Sequence, residues 1–152
     1  MEFDSVQVQR AYEIAANAHA GQVDKAGKDY ISHPLTVASF VETDDEKTVA
    51  LLHDVAEDTP VTLQDLRDAG FSEAVVHAVD CVTKRSGEPL RDYLQRVKSD
   101  KLATVVKLAD LRHNSDLTRI PYPTERDLAR VERYQKEIAF LKGEPGSYEE
   151  YF

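Results

Sequence analysis

Residues 49–58 read VALLHDVAED, so four apolar residues run directly into a histidine and an aspartate. On a helix, Glu57 lies four residues beyond His53. Asp58 likewise lies four residues beyond Asp54, so these side chains crowd towards one site. A solvated helix end carries similar charges, but it does not need a histidine and an aspartate directly after an apolar run. Buried carboxylates need partners such as metal ions, and we therefore interpret this segment as part of a functional site.

The rest of the chain has the same helical character. Apolar residues recur at spacings of three and four, and alternating strand patterns and Asn-Gly or Asp-Gly turns are absent from the sequence. We therefore predict an all-α fold, a single helical bundle. Pro34 is expected at the first position of the second helix, and Thr62, Ser72 and Thr124 are expected to cap later helices. The predicted helices cover about residues 4–20, 34–41, 46–59, 63–69, 73–82, 90–97, 101–117 and 125–142.

Length and composition predict one compact domain. The chain has 152 residues, of which 41% are hydrophobic and 31% charged, values typical of a soluble globular protein. We expect residues 1–143 to form this domain and residues 144–152 to form an acidic C-terminal tail. No stretch approaches the ~20 consecutive apolar residues of a membrane helix, and the first residues lack a signal-peptide pattern. Membrane insertion and secretion are therefore not expected.

Charge and cysteine content narrow the possible functions. With 19 Lys and Arg against 28 Asp and Glu, the formal charge is −9, which disfavours binding to duplex nucleic acid. An anionic small molecule remains possible, because a metal ion and a few cations can reverse the potential inside one cleft. The single cysteine, Cys81, cannot form an internal disulfide or a multi-cysteine zinc site. This usage suits the reducing cytoplasm, and we expect Cys81 to be a buried small hydrophobe.

A second cluster of polar residues lies further along the chain. Asp110 follows an apolar run, and Asn114 lies one turn later on the same helix face. With His33 at a helix entrance and the His53-Asp54 pair, the chain offers two imidazoles and two carboxylates from three helices. Such mixed ligands suit Mn²⁺, Fe²⁺ or Zn²⁺ and leave positions open for water and a phosphate oxygen. A closed structural zinc site would usually use cysteines and is disfavoured.

Four motifs follow one another in the chain. Residues 19–34 read HAGQVDKAGKDYISHP, residues 53–59 read HDVAEDT, residues 106–110 read VKLAD, and Asn114 comes next. In this order they resemble the motifs of the HD-domain metal-dependent phosphohydrolases. More narrowly, they resemble the hydrolase domain of the Rel/SpoT proteins and the small stand-alone alarmone hydrolases. The resemblance runs from residue 5 to residue 142, nearly the whole chain.

The resemblance implies a helical HD-domain bundle and a bound metal ion. The ion would be Mn²⁺, with Fe²⁺, Zn²⁺ and Mg²⁺ as alternatives, and its ligands would be His33, His53, Asp54 and Asp110. Glu57 and Asp58 would activate and orient the attacking water. The implied reaction is hydrolysis of the 3′-pyrophosphate of guanosine tetra- or pentaphosphate, the alarmones of the stringent response, to GDP or GTP and pyrophosphate. Nothing in the sequence resembles the separate synthetase domain of the Rel/SpoT proteins.

The chain departs from this family's pattern at Asp24-Lys25. The alarmone hydrolases carry an Arg-Lys pair there, and the arginine packs on the guanine base. A carboxylate cannot supply that cation–π contact. Residues 110–115 also read DLRHNS where the family usually has DRLHNM. We therefore expect the metal and water chemistry to carry over better than the guanine specificity, with the base held loosely beside Asp24.

Several further side chains are candidates for substrate binding. Lys25, Lys107 and Asn114 are expected to hold the phosphates or the sugar, and His19 is expected beside the phosphate path. The alternatives are an exposed helix position for Lys107 and a solvated helix end for His19. The last helix also carries a basic stripe that either faces the cleft or pairs with acidic neighbours on the surface, formed by Arg126, Arg130 and Arg133.

Together these features predict a cytoplasmic, Mn²⁺-dependent nucleotide phosphohydrolase, with a homo-oligomer left open. One alternative is a phosphohydrolase for a different nucleotide, which Asp24 favours. Another is a catalytically silent HD module that binds a nucleotide or a partner protein. The complete set of candidate ligands argues against the silent module, since buried carboxylates without a role cost stability.

Overall fold

The computed structural model describes residues 2–24 and 26–144. Within these residues the backbone forms nine α-helices and one 3₁₀ helix, with an isolated bridge between Val23 and Asp29 as the only β-type pairing. The predicted all-α fold is therefore confirmed. The helices are α1 (Val6–Ala18), α2 (Ser32–Ser39), α3 (Asp44–Leu52), α4 (Val55–Asp58), α5 (Leu63–Asp68), α6 (Glu73–Val82), α7 (Leu90–Lys98), α8 (Lys101–Asn114), the 3₁₀ helix (Leu117–Arg119) and α9 (Glu125–Leu141).

Side-chain caps begin several of these helices. Thr62 and Thr124 each form a capping box with the aspartate three residues later, and the Ser72 hydroxyl accepts a backbone N–H of α6, so all three predicted caps are confirmed. Thr43 forms a further capping box with Glu46 at the start of α3. The beginning of α3 is thus fixed independently of the site at its other end.

Helix α3 lies at the centre of the bundle. It packs against α1, α2, α6 and α8. Val49, Ala50, Leu51 and Leu52 are all 0% exposed, and burying such apolar surface stabilises the fold by roughly 25 cal/mol per Å². The apolar run that precedes His53 therefore anchors this histidine in the middle of the molecule.

The prediction of one continuous helix up to Pro60 is wrong. Helix α3 ends at Leu52, His53 and Asp54 form a turn, and α4 begins at Val55. In a continuous helix the Ala50 carbonyl would accept the N–H of Asp54, but here it accepts a bond from the His53 ring at 2.5 Å. The helix is thus interrupted at His53 and Asp54, and this interruption sets the orientation of their side chains.

Two other helix boundaries differ from the prediction. Helix α2 begins at Ser32, so Pro34 is its third residue and not its first. Helix α8 ends at Asn114, and the 3₁₀ helix follows. The carboxylate of Asp116 accepts both the N–H and the O–H of Thr118, at 3.0 and 2.6 Å, and such local bonds compete with a continuing α-helix.

Three further expectations concern the C-terminal tail, Cys81 and membrane insertion. Of the predicted acidic tail, residues 145–152 lie outside the described residues. Cys81 is buried, as expected. In the part of the chain that the structure describes, no helix has both the length and the apolar character needed to cross a membrane.

Candidate functional site

Four side chains from three parts of the bundle meet at one point. His33 lies in the first turn of α2, His53 and Asp54 in the turn after α3, and Asp110 in the last turns of α8. Nε2 of His33 lies 2.8 Å from Oδ1 of Asp110 and 3.9 Å from Oδ2 of Asp54. Nε2 of His53 lies 3.1 Å from Oδ2 of Asp54 and 3.3 Å from Oδ1 of Asp110. The fold thus brings together all four residues predicted to be metal ligands.

The histidine nitrogens fit a divalent cation. Nδ1 of His53 donates to the Ala50 carbonyl, so Nε2 is the nitrogen that faces the carboxylates, and this buried Nε2 makes no hydrogen bond of good geometry to them. Nδ1 of His33 lies 2.7 Å from Nδ1 of His113, so its other nitrogen also points into the cluster. A histidine whose second nitrogen is held by another group is oriented as a metal ligand. Two such nitrogens and two carboxylate oxygens form a donor set that suits a divalent transition metal.

Charge within the cluster also favours a cation. Burial opposes ionisation of Asp54, but the neighbouring His53 outweighs burial and lowers the pKa of Asp54 to about 2. Burial likewise opposes a charge on His53, yet the two carboxylates hold the pKa of His53 well above its usual value. The carboxylates are therefore negative at neutral pH and attract positive charge, which a divalent ion supplies more strongly than a proton.

Lys107 and Asn114 both support Asp110. Nζ of Lys107 donates to Oδ2 of Asp110 at 3.0 Å, and Nδ2 of Asn114 donates to Oδ1 at 3.0 Å. Lys107 is 9% exposed, so the alternative of an exposed helix position is wrong. Burial disfavours its charge, but Asp110 outweighs burial and raises the pKa of Lys107. Both side chains also line the cleft, where they face the space next to the cluster.

Glu57 and Asp58 stand at the open side of the cluster. Both are exposed residues of the short helix α4, and carboxylate oxygens of Asp54, Glu57 and Asp58 lie within 4.8 Å of one another. Glu57 accepts the backbone N–H of Lys84 at 2.8 Å. Burial and the negative charges of Asp54 and Glu57 raise the pKa of Asp58 to about 6. A carboxyl group with such a pKa can exchange protons near neutral pH.

Two residues that hold the ligands in place were missed by the sequence analysis. The Tyr30 hydroxyl donates to Oδ2 of Asp54 at 2.6 Å, and burial raises the pKa of Tyr30, which keeps this donor protonated. The His113 ring stacks on His33 with 5.0 Å between ring centroids. Burial, with help from Arg119, lowers the pKa of His113 to about 4, so His113 is neutral and could accept a hydrogen bond from Nδ1 of His33 when Nε2 of His33 holds a metal ion. Only their places inside the quoted motifs hinted at these roles.

The cluster lies in a cleft of about 400 Å³. Three cations that the sequence analysis did not assign firmly to the site line this cleft: Lys84, Arg119 and Arg130. Of the predicted basic stripe, Arg126 and Arg133 are exposed, while Arg130 lines the cleft and forms an ion pair with Asp127. Only part of the stripe therefore faces the cleft. Sequence spacing alone could not separate the three arginines, since the orientation of α9 decides which one faces inward.

Asp24 has a structural role that the sequence did not reveal. Its Oδ1 accepts the N–H groups of Ala26 and Lys28, at 2.9 and 3.0 Å, and Oδ2 lies 3.2 Å from Nη2 of Arg119. Burial opposes ionisation, but the backbone N–H of Lys28 and its neighbours lower the pKa of Asp24. The ionised carboxylate of Asp24 therefore holds Arg119 at the edge of the cleft, and their two charges offset one another. Its neighbour Lys25, expected to contact substrate, lies outside the described residues.

His19 lies behind the cleft. The residue is 2% exposed, its Nδ1 lies 3.1 Å from Oε1 of Gln22, and its ring lies 4.8 Å from the ring of Tyr30. The alternative of a solvated helix end is therefore wrong. Tyr30 contacts His19 and is a lining residue of the cleft, whereas His19 is not among the residues that line it.

Two histidines and two aspartates of this helical bundle meet at one buried point beneath an open cleft. This arrangement is typical of a helical protein with a centre for a divalent metal ion. Comparison with known families agrees with this description. The family model described as "HD domain" matches residues 11–113. The chain therefore belongs to the HD domain family, and this membership implies a divalent metal.

Curated relatives carry the same region within much longer proteins. The chain is 38% identical over 147 residues to the "Probable GTP pyrophosphokinase" of Mycobacterium leprae, an alignment that covers 88% of this chain and 18% of that protein. It is 35% identical over 123 residues to the "Bifunctional (p)ppGpp synthase/hydrolase SpoT" of Escherichia coli, which covers 71% of this chain and 17% of that protein. The chain thus spans less than a fifth of the length of these relatives.

A solved structure has the same fold over nearly its whole length. It is described as a metazoan ortholog of SpoT that hydrolyzes ppGpp and plays a role in starvation responses. The two chains superpose with a TM-score of 0.76 at 23% sequence identity, over 99% of this chain and 94% of the other. The helical arrangement described above is therefore that of a known HD-domain fold.

Proposed function

We propose that this chain is a Mn²⁺-dependent phosphohydrolase that removes the 3′-pyrophosphate of guanosine tetraphosphate and releases GDP and pyrophosphate. The observation that carries the proposal is the convergence of His33, His53, Asp54 and Asp110 directly beneath Glu57 and Asp58. The names of its relatives support the choice of substrate, since they include a (p)ppGpp synthase/hydrolase. The proposed setting is the cytoplasm.

The four converging residues are the proposed metal ligands. When bound, a divalent ion at this site polarises a phosphoryl oxygen and lowers the pKa of water. Mn²⁺ is the proposed ion because imidazole nitrogen and carboxylate oxygen together suit a transition metal better than Mg²⁺. Tyr30 fixes the orientation of Asp54, and Lys107 with Asn114 fixes that of Asp110, so the ligands are held before any substrate arrives.

Glu57 and Asp58 are the proposed proton-handling groups. Both are exposed at the cleft, next to Asp54, where an attacking water would be placed. One carboxylate accepts a proton from the water as its oxygen attacks the phosphorus bonded to O3′. The bond between that phosphorus and O3′ breaks, and O3′ takes up the proton that the carboxyl group has received from the water. General acid–base assistance of this kind contributes about 10²- to 10⁴-fold to the rate.

Cations in the same cleft are the proposed partners of the phosphates. Lys84 and Arg130 both line it, and Arg130 is held in place by Asp127. The whole chain has a formal charge of −9, which repels an anionic substrate. The positive charges of Lys84 and Arg130 make the potential inside the cleft more favourable for such a substrate. The pyrophosphate to be removed is therefore proposed to lie between these cations and the metal ligands.

The experiment that tests the proposal is metal depletion followed by reconstitution. The protein is treated with a chelator, supplied with Mn²⁺, Mg²⁺, Zn²⁺ or Fe²⁺, and incubated with guanosine tetraphosphate, its adenosine counterpart and common nucleoside triphosphates. We expect Mn²⁺ to restore release of GDP and pyrophosphate better than Mg²⁺. Full activity in excess chelator would exclude the metal mechanism. Hydrolysis of another nucleotide in preference would overturn the substrate, and no hydrolysis with any metal would favour a silent binding module.

A further inference from the structure

One edge of the cleft combines an ion pair with neighbouring apolar side chains. We define it as the Arg119 rim, made of Val23, Asp24, Arg119 and Ile120, all of which line the cleft. The guanidinium of Arg119 is held at two points, because Nη1 donates to the His113 carbonyl at 3.1 Å and Nη2 donates to Oδ2 of Asp24 at 3.2 Å. The side chains of Arg119 and Asp24 are 22% and 7% exposed. The rim therefore presents a guanidinium that is fixed in place.

The anchor of this guanidinium is itself fixed. Asp24 accepts two backbone N–H groups of its own loop with Oδ1, from Ala26 and Lys28, and so has only its second oxygen to offer Arg119. Together with the His113 carbonyl, this carboxylate holds two nitrogens of the guanidinium and so sets its orientation. Arg119 is the last residue of the short 3₁₀ helix that follows α8, and Asp24 belongs to the loop before α2, so two separate segments must both fold for the rim to exist.

The rim is neutral and partly apolar. Asp24 lines the cleft beside Arg119 and offsets its charge there, whereas Asp127, the partner of Arg130, is not among the lining residues. A phosphate therefore gains less at the rim than at Arg130. Val23 is 63% exposed, and Val23 and Ile120 are the chain neighbours of the paired residues. A planar aromatic ring gains on such a surface, because it can lie on the face of a guanidinium and cover the adjacent aliphatic side chains.

The same two segments also reach the metal cluster. The loop that carries Asp24 continues to Tyr30, which bonds Asp54, and the turn that carries Arg119 follows Asn114, which bonds Asp110. In addition, the carbonyl that holds Arg119 belongs to His113, whose ring contacts His33. The position of the rim is therefore tied to the position of the ligands through short, direct contacts.

We propose that Arg119 is the residue that contacts the nucleobase of the substrate and that Asp24 is a positioning residue, which acts by holding Arg119. This inference rests on the proposed function, because it takes the ligand of the cleft to be a nucleotide. It assigns the recognition of the base to the segment after α8, and it gives the carboxylate at position 24 a role in holding a cation.

The test separates binding of the base from hydrolysis. Binding of GDP and of base-free ribose 5-diphosphate is measured by calorimetry in chelator-treated wild-type protein and in Arg119→Ala. We expect Arg119→Ala to weaken GDP binding by about 5- to 30-fold, the range of a desolvated cation–π contact. Binding of the base-free compound should stay within about 2-fold of the wild-type value. Hydrolysis of guanosine tetraphosphate is assayed separately, so failure of the proposed function is distinguishable from failure of this inference.

Two further variants define the roles of the pair. Arg119→Lys keeps the charge and removes the planar group, so GDP binding should resemble that of Arg119→Ala. Asp24→Asn keeps an oxygen that can accept the loop N–H groups and removes the ion pair, so GDP binding should fall less than in Arg119→Ala, with ribose 5-diphosphate again unaffected. Arg67→Ala is the matched control, because Arg67 pairs with Glu73 on the surface. Thermal unfolding of each variant checks that the fold is retained.

Three results would overturn the inference. Equal weakening of both ligands by Arg119→Ala would place Arg119 at the phosphates. Unchanged GDP binding would place the base elsewhere in the cleft. Wild-type affinity in Arg119→Lys would mean that charge, and not the planar group, is what matters. Selective weakening of GDP binding would support the inference even if guanosine tetraphosphate were not hydrolysed.

Discussion

The two sides of the cleft are built differently. On the buried side, His33, His53 and Asp110 are 3–5% exposed and come from helices or from a turn locked between helices. On the open side, Glu57 and Asp58 are exposed on a helix of four residues, and Arg119 ends a 3₁₀ helix of three residues. Groups on the buried side are bound to one another and to the core, so they are coupled to folding. The exposed Glu57 and Asp58 can change without disturbing the core, which suits residues that act on the substrate.

The largest expected effect is on the buried side. Asp54→Ala removes an anionic ligand at the centre of the cluster, and we expect loss of bound metal and a fall in hydrolysis of about 10³-fold or more. Metal content of the purified variant and its kcat/KM are the measurements. Asp68→Ala is the control, since Asp68 is an exposed residue of α5. Near-normal metal content in Asp54→Ala would show that Asp54 is not a ligand.

The next effect is on the open side and should leave the metal in place. Glu57→Gln keeps an oxygen that can accept the N–H of Lys84 and removes the basic carboxylate. We expect kcat to fall by about 10²-fold or more with metal content and substrate affinity retained. Loss of metal together with turnover would instead place Glu57 among the ligands and would blur the distinction between the two sides.

A third change tests whether the buried side is coupled to folding. Lys107→Met leaves Asp110 without its buried cation, and breaking such a pair costs about 3–5 kcal/mol of unfolding free energy. Urea unfolding of the chelator-treated protein measures this loss, and addition of Mn²⁺ should recover part of it. Lys101→Met at the exposed start of α8 is the control and should be nearly neutral. Equal stability of the two variants would mean that the buried cluster is not coupled to folding.

The smallest effect separates the scaffold from the chemistry. Thr43→Ala removes the capping box at the far end of α3, which should lower the unfolding free energy by about 1 kcal/mol. Thr43→Ser keeps the hydroxyl and should lose much less. Because the second half of α3, from Thr48 to Leu52, remains buried, kcat/KM of the folded variant should not change. A lower kcat/KM at a temperature where Thr43→Ala is fully folded would show that the position of His53 depends on this distant cap.

Much of the fold could be predicted because its causes are local. The capping residues Thr62, Ser72 and Thr124 and the spacing of apolar residues determine where helices begin and which faces are buried. The break between α3 and α4 could not be predicted this way. It depends on the His53 ring taking a carbonyl from the helix and on Tyr30 binding Asp54 from a loop that is distant in the sequence.

Some features of the candidate site could likewise be predicted from the sequence, and others could not. The sequence by itself determined which side chains are available, since residues 53–58 and Asp110 include the imidazole and carboxylate groups that a metal centre needs. Only the tertiary structure decided their partners: His113 for His33, Lys107 for Asp110, and Arg119 for Asp24. The physical reason is that hydrogen bonds and ion pairs act over about 3 Å, so they depend on how distant segments pack, whereas helix periodicity and capping act between residues three or four positions apart in the chain.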